Sequence, residues 1–101
     1  MSHVALQQKA ELALEQKSYQ EALECFENIG RTIGVDQNLT DKEFNQIIIQ
    51  CLLSKAECLI GLNQRDAAKT IYSCMPYCKF STEKQKKFAQ SKLAEMAEIN
   101  N

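Results

Sequence analysis

Apolar residues along this chain recur at helical spacing in five stretches, each set off from the next by a polar or turn-forming break. Leu6, Ala10, Ala13 and Leu14 make the first, and Lys17-Ser18-Tyr19 interrupts before Ala22, Leu23, Phe26 and Ile29 make the second. Two short helices in hairpin order are the expectation. Ser18 followed by Glu21 is a capping-box pattern, in which each side chain satisfies a backbone donor at a helix start, so the second helix is predicted to begin near Tyr19. It should end around Gly30 to Gly34, with Asp36-Gln37-Asn38 as the turn that follows.

Thr40 and Glu43 form another capping box, and Leu39 and Phe44 stand where a hydrophobic staple clamps the start of a third helix. From Asp41 to about Leu62 the chain is apolar on more than one side, as a helix with several neighbours requires. The β-branched triplet Ile47-Ile48-Ile49 would also suit a strand, but the capping box and the length of the run favour helix. Asn63 is the candidate cap of a fourth helix through Ala67, Ala68, Ile71, Tyr72 and Met75, which Pro76 stops. A fifth begins near Thr82, where Gln85 completes a capping box, and carries Phe88, Ala89, Leu93, Met96 and Ala97. The fold class is therefore all-α, with two hairpins and one closing helix.

The two hairpins share a pattern. Laying Lys9-Ala10-Glu11 over Lys55-Ala56-Glu57 also brings Ala22 over Ala68 and Phe26 over Tyr72, at a single offset of 46 residues. Small residues at paired positions let helices approach closely, and the aromatic fills the space between hairpins. The stretch KAELALEQKSYQEALECF resembles a tetratricopeptide repeat, with Ala10 and Ala22 at the small positions, Tyr19 at the aromatic after the turn and Phe26 at the later aromatic. The second copy, KAECLIGLNQRDAAKTIY, departs from the pattern at Arg65 and Asn63 and keeps Ala56, Ala68 and Tyr72, while Phe80 stands where the family often has Pro. Family repeats are about 34 residues long, so the offset implies roughly twelve extra residues between the copies. The resemblance implies one domain: a first repeat at about 3–36, an insertion at about 37–48, a second repeat at about 49–80 and a capping helix at about 82–98. It also implies a right-handed superhelical stack. A three-helix domain of the microtubule-interacting-and-trafficking kind resembles the first hairpin through SYQEALECF; it needs neither the second copy nor five helices.

Composition narrows the function. The 101 residues suffice for one modest core, and a net charge of −1 excludes nucleic-acid binding through an overall basic field. Charge is uneven, however: Lys79 to Lys92 holds five lysines against Glu83 alone. That pattern reads as a solvated face or as a patch for an acidic partner. Five cysteines is an odd number, and Cys25, Cys51, Cys58, Cys74 and Cys78 mostly fall at small apolar positions of helices, which points to a reducing compartment. Met1-Ser2-His3-Val4 has no charged-then-apolar signal pattern and no apolar run is long enough to span a bilayer, so the expected location is the cytoplasm, or the nucleus, without membrane insertion.

Candidate chemistry is sparse. Cys74-Met-Pro-Tyr-Cys78 offers two metal-ligand positions, but a zinc site needs two more and the one histidine is His3, so neither metal nor cofactor is expected. No nucleophile with a neighbouring base and no Gly-rich phosphate loop stands out, and an enzyme is not expected. Stacked hairpins curve to form a concave groove that takes an extended peptide or a partner helix. By position its floor comprises Gln7, Glu11, Gln50, Ser54 and Glu57, with Lys84 and Phe88 from the closing helix. Chaperone-binding members of the tetratricopeptide family grip a terminal carboxylate with Lys, Asn, Asn, Lys and Arg. The resembling positions here are Gln7, Glu11, Ser54, Lys84 and Phe88; only Lys84 agrees, and Glu11 would repel the carboxylate. The expected function is a protein-binding adaptor, co-chaperone-like in architecture but without that clamp. The alternative is a structural subunit that self-associates or docks into a larger complex through an exposed helix face.

Overall fold

The computed structural model describes residues 3–33 and 39–99. Five α-helices follow in order: α1 (His3–Glu15), α2 (Tyr19–Ile33), α3 (Asp41–Gly61), α4 (Arg65–Cys74) and α5 (Glu83–Ile99), with a 3₁₀ turn at Met75–Tyr77 between the last two. No strand occurs among the described residues. Each helix packs against the next, giving a superhelical stack of two hairpins closed by α5. Five helices are more than the three-helix domain weighed above contains, so that alternative fold is set aside.

The repeat read from sequence is repeated in the backbone. At the end of α1 the Lys17 N–H donates to the Leu14 carbonyl at 3.0 Å and the Ser18 N–H to the Ala13 carbonyl at 2.8 Å. At the end of α3 the Asn63 N–H donates to Ile60 at 3.0 Å and the Gln64 N–H to Leu59 at 2.8 Å, each partner 46 positions further on. These are Schellman turns, which satisfy the last carbonyls of a helix by placing one residue in the left-handed region. Lys17 (φ 60°) and Asn63 (φ 63°) are those residues. Asn63 therefore closes α3 and does not cap α4, whose N-cap is Gln64 without a side-chain hydrogen bond. The left-handed backbone claims the position before its side chain can serve the next helix.

The remaining helix starts divide by chemistry. Thr40 and Glu43 form the complete capping box, and Leu39 and Phe44 are half-buried against the core as a staple requires. Thr82 and Gln85 form another: the Gln85 N–H donates to Thr82 Oγ1 at 3.1 Å and the Thr82 N–H to Gln85 Oε1 at 2.9 Å. Ser18 and Glu21, by contrast, do not form the reciprocal bonds of the predicted box; α2 begins at Tyr19, where the preceding Schellman turn delivers the chain. Helix α2 reaches Ile33 with Gly30 inside it, and Gly34 with the predicted turn Asp36-Gln37-Asn38 lies outside the described residues. The extra residues between the copies appear from 41 onward as added turns of α3, which at 21 residues is the longest described helix.

Packing follows the small residues. Ala10, Ala22, Ala56 and Ala68 are fully buried, and Ala89 does the same for α5, so the helices meet where side chains are smallest. Phe26 and Tyr72 are buried at equivalent places in the two hairpins, with Ile29, Ile33 and Cys58 among the fully enclosed side chains around them. Burying side chains of this size contributes roughly 1.5–3 kcal/mol each. Lys55 and Glu27 link α3 to α2 at 3.7 Å; both are half-buried and still reach solvent, so the pair contributes little beside the core.

Candidate functional site

Helix α3 carries a polar stripe, Gln46, Gln50, Ser54 and Glu57, beside its buried apolar residues. The spacing of four, four and three keeps those side chains on one face. Helix α5 lies beside that face, and Gln85 ties the two together. Its Nε2 donates to Gln46 Oε1 at 3.4 Å and to Gln50 Oε1 at 3.3 Å, while Gln46 Nε2 donates to the Phe80 carbonyl at 2.8 Å. Because the Thr82 N–H already holds Gln85 Oε1, the capping box aims the donor end of the amide at α3. One glutamine thus starts α5 and docks it.

Between the two helices opens a cleft of about 380 Å³ lined by Gln50, Leu53, Ser54, Glu57, Thr82, Lys84, Gln85 and Phe88. It brings together five of the seven residues predicted for the groove: Gln50, Ser54, Glu57, Lys84 and Phe88. Gln7, half-buried, and Glu11, exposed, lie on α1 and do not line it. Leu53, Thr82 and Gln85 were not foreseen as part of it; the signal for Gln85 was the matching pair of glutamines a turn apart on α3.

Phe88 is the cleft's aromatic residue. It is 37% exposed, its ring meets Tyr72 edge-on at 6.3 Å and 67°, and Lys92 Nζ lies 5.5 Å from its centre. Tyr72 holds the ring edge-on from the core side and Lys92 lies over its face, while Leu53 lines the same cleft. Lys92 also pairs with Glu95 at 3.6 Å. The charged residues lining the cleft differ in placement. Lys84 is exposed near the start of α5, and Glu57 is half-buried, without an ion pair among the described residues. Glu57 also lines a second hollow with Leu14, Glu15, Lys17, Tyr19, Ile60 and Lys92, so the ends of α1 and α3 and the middle of α5 border the same side of the molecule.

Burial governs the titration of the groups behind the cleft. Desolvation pushes the Tyr72 hydroxyl up to about 12, and the carboxylates of Glu57 and Glu95 add to it. Burial likewise raises the Cys51 and Cys58 thiols to about 11. In the Cys74 to Cys78 motif, Cys74 is exposed and Cys78 half-buried, its thiol held below the ordinary range chiefly by the Phe80 N–H and then by the Ser81 hydroxyl. Among the described residues, no three His, Cys, Asp or Glu side chains converge on a common point. No described helix is long and apolar enough to cross a membrane.

The arrangement is a compact all-helical module with a surface compatible with protein interaction. No protein-family model, curated protein or solved structure matches the chain, which stands as a five-helix stack of hairpins of the general helical-repeat kind.

Proposed function

We propose that this chain is a tetratricopeptide-type adaptor that holds an extended segment of another protein in the cleft between α3 and α5, and that it binds without catalysing a reaction. The observation that carries this reading is the cleft itself, where Phe88, 37% exposed, and Leu53 line the wall together with the amides of Gln50 and Gln85. Apolar contact with a few oriented polar groups is what a peptide site requires. The repeat pattern supports the family assignment through the duplicated Schellman turns and the buried alanine pairs. Five free thiols suit a reducing compartment, and the cytoplasm or nucleus is where this reading puts the module.

Selection of a random peptide display library on the protein, counter-screened on a Ser54→Arg variant, tests the reading. Peptides retained by the first and lost on the second support it; no peptide sensitive to the cleft substitution refutes it. A chaperone tail ending in free carboxylates should bind poorly, because Gln7, Glu11, Ser54 and Phe88 replace the amide and cationic donors such a clamp uses. Calorimetric detection of micromolar, salt-sensitive binding of such a tail would overturn that part.

A second reading has its own observation. Val4 and Leu12 on α1 are 52% and 54% exposed, an apolar pair at the open end of the stack, where a larger assembly could dock. Light scattering separates the two: a mass independent of concentration, unchanged in Leu12→Glu, favours the adaptor over self-assembly.

A further inference from the structure

The cleft is electrically polarised along its length. Lys84 lines the cleft next to Gln85, which binds Gln46 and Gln50, and Glu57 lies two to three turns further along α3. The midpoint of Gln46 and Gln50 lies nine residues before Glu57, an axial distance of about 13 Å. Between the charges the lining is Leu53, Ser54 and Phe88. Neither Lys84 nor Glu57 has an ion pair among the described residues, whereas Lys86 pairs with Glu83, and Lys92 with Glu95. Glu57 is half-buried, so it gains more from a partner than a fully exposed carboxylate would.

An extended peptide rises about 3.3 Å per residue and turns every second side chain to the same face, so about 13 Å corresponds to four residues, with the first, third and fifth side chains facing the cleft. Resting on the groove reading given above, we infer that the cleft selects an extended peptide with an acidic residue opposite Lys84, a basic residue opposite Glu57 four positions away, and an apolar side chain midway between them on Phe88. Charge complementarity sets the choice. A peptide with two acids faces Glu57, and one with two bases faces Lys84; each sets a like charge against the cleft.

The test titrates isotope-labelled protein, read by backbone amide shifts, with four capped octapeptides. Each has a central Leu between positions four apart, occupied by Glu and Lys, Lys and Glu, Glu and Glu, or Lys and Lys. One of the opposite-charge peptides should bind about three- to fivefold tighter than either like-charge peptide, the size expected of a partly exposed pair. Glu57→Lys should shift the preference to the peptide with two Glu, and Lys84→Glu to the peptide with two Lys. Equal affinity for all four, with shifts still centred on α3 and α5, overturns the charge selection and leaves the peptide groove standing. Absence of shifts with every peptide removes both. Circular dichroism of each variant, matching wild type, ties a changed preference to the cleft.

Discussion

The ring of Tyr19 lies against the backbone of Gly61 so closely that a Cβ built on the glycine would sit 2.5 Å from three ring carbons. The start of α2 and the end of α3 meet there, and the first hairpin is registered on the second. Gly61→Ala should destabilise the fold by about 1–2 kcal/mol through overpacking, despite the better helix propensity of Ala. In a Tyr19→Ala background the same substitution should become neutral or stabilising. Urea unfolding of the four proteins measures the coupling; the same cost in both backgrounds contradicts the contact.

Lys17 and Asn63 occupy left-handed backbone at the two Schellman turns. A side chain there is strained, and Asn tolerates the conformation better than Lys does. Lys17→Gly should therefore stabilise by about 0.5–1 kcal/mol and Asn63→Gly by less. Thermal melts check the order. A loss of stability at Lys17 contradicts it.

Tyr72 is fully buried and its hydroxyl has no hydrogen-bond partner among the described residues. The equivalent residue of the first hairpin is Phe26. Removing an unpartnered polar group relieves its desolvation while keeping the ring against Phe88, so Tyr72→Phe should be neutral or stabilising by about 1 kcal/mol. A loss of more than about 1 kcal/mol in chemical unfolding contradicts this and points to a buried partner for the hydroxyl.

Stability should fall in alkali. Unfolded, Cys51 and Cys58 ionise near 9.0 and Tyr72 near 10.0; folded, they keep their protons to about 11 and about 12. Between those limits the unfolded chain binds fewer protons than the native one, so the contribution is complete below about pH 9 and is lost as pH rises through the folded values. Urea midpoints measured under reducing conditions from about pH 8 to about pH 11 should decline, less steeply in Cys51→Ala. A flat profile contradicts the burial of these groups.

Gln85 uses both ends of its amide, which explains why α5 needs Gln and not Glu at that position. Gln85→Glu retains an acceptor for the Thr82 N–H but loses the donor to Gln46 and Gln50 and sets a carboxylate against their carbonyl oxygens. The substitution should cost about 1–2 kcal/mol and raise hydrogen exchange in α5 ahead of α2. Unchanged protection of α5 contradicts the docking role.

The helices and the repeat were readable because their signals are local. Capping residues at Thr40 and Thr82 and the apolar spacing act within a few residues of one another, and the shared alanines show by direct comparison of two such local patterns 46 residues apart. The site was only partly readable. Phe88 and Ser54 followed from repeat position, but the lining role of Gln85 depends on a contact with Gln46, 39 residues away, that neither residue announces alone. Asn63 was misread for a related reason. Asn suits both a helix cap and a left-handed turn, and the choice is made by the Ile60 and Leu59 carbonyls of the preceding helix.

The central claim is that the cleft between α3 and α5 holds the partner. Amide shift mapping of labelled protein with a peptide taken from the display selection tests it most directly. Changes should concentrate at Gln50 to Glu57 and Thr82 to Phe88 and be lost in Ser54→Arg. Changes centred instead on Val4 to Leu12 of α1, or on the outer faces of α2 and α4, would contradict it.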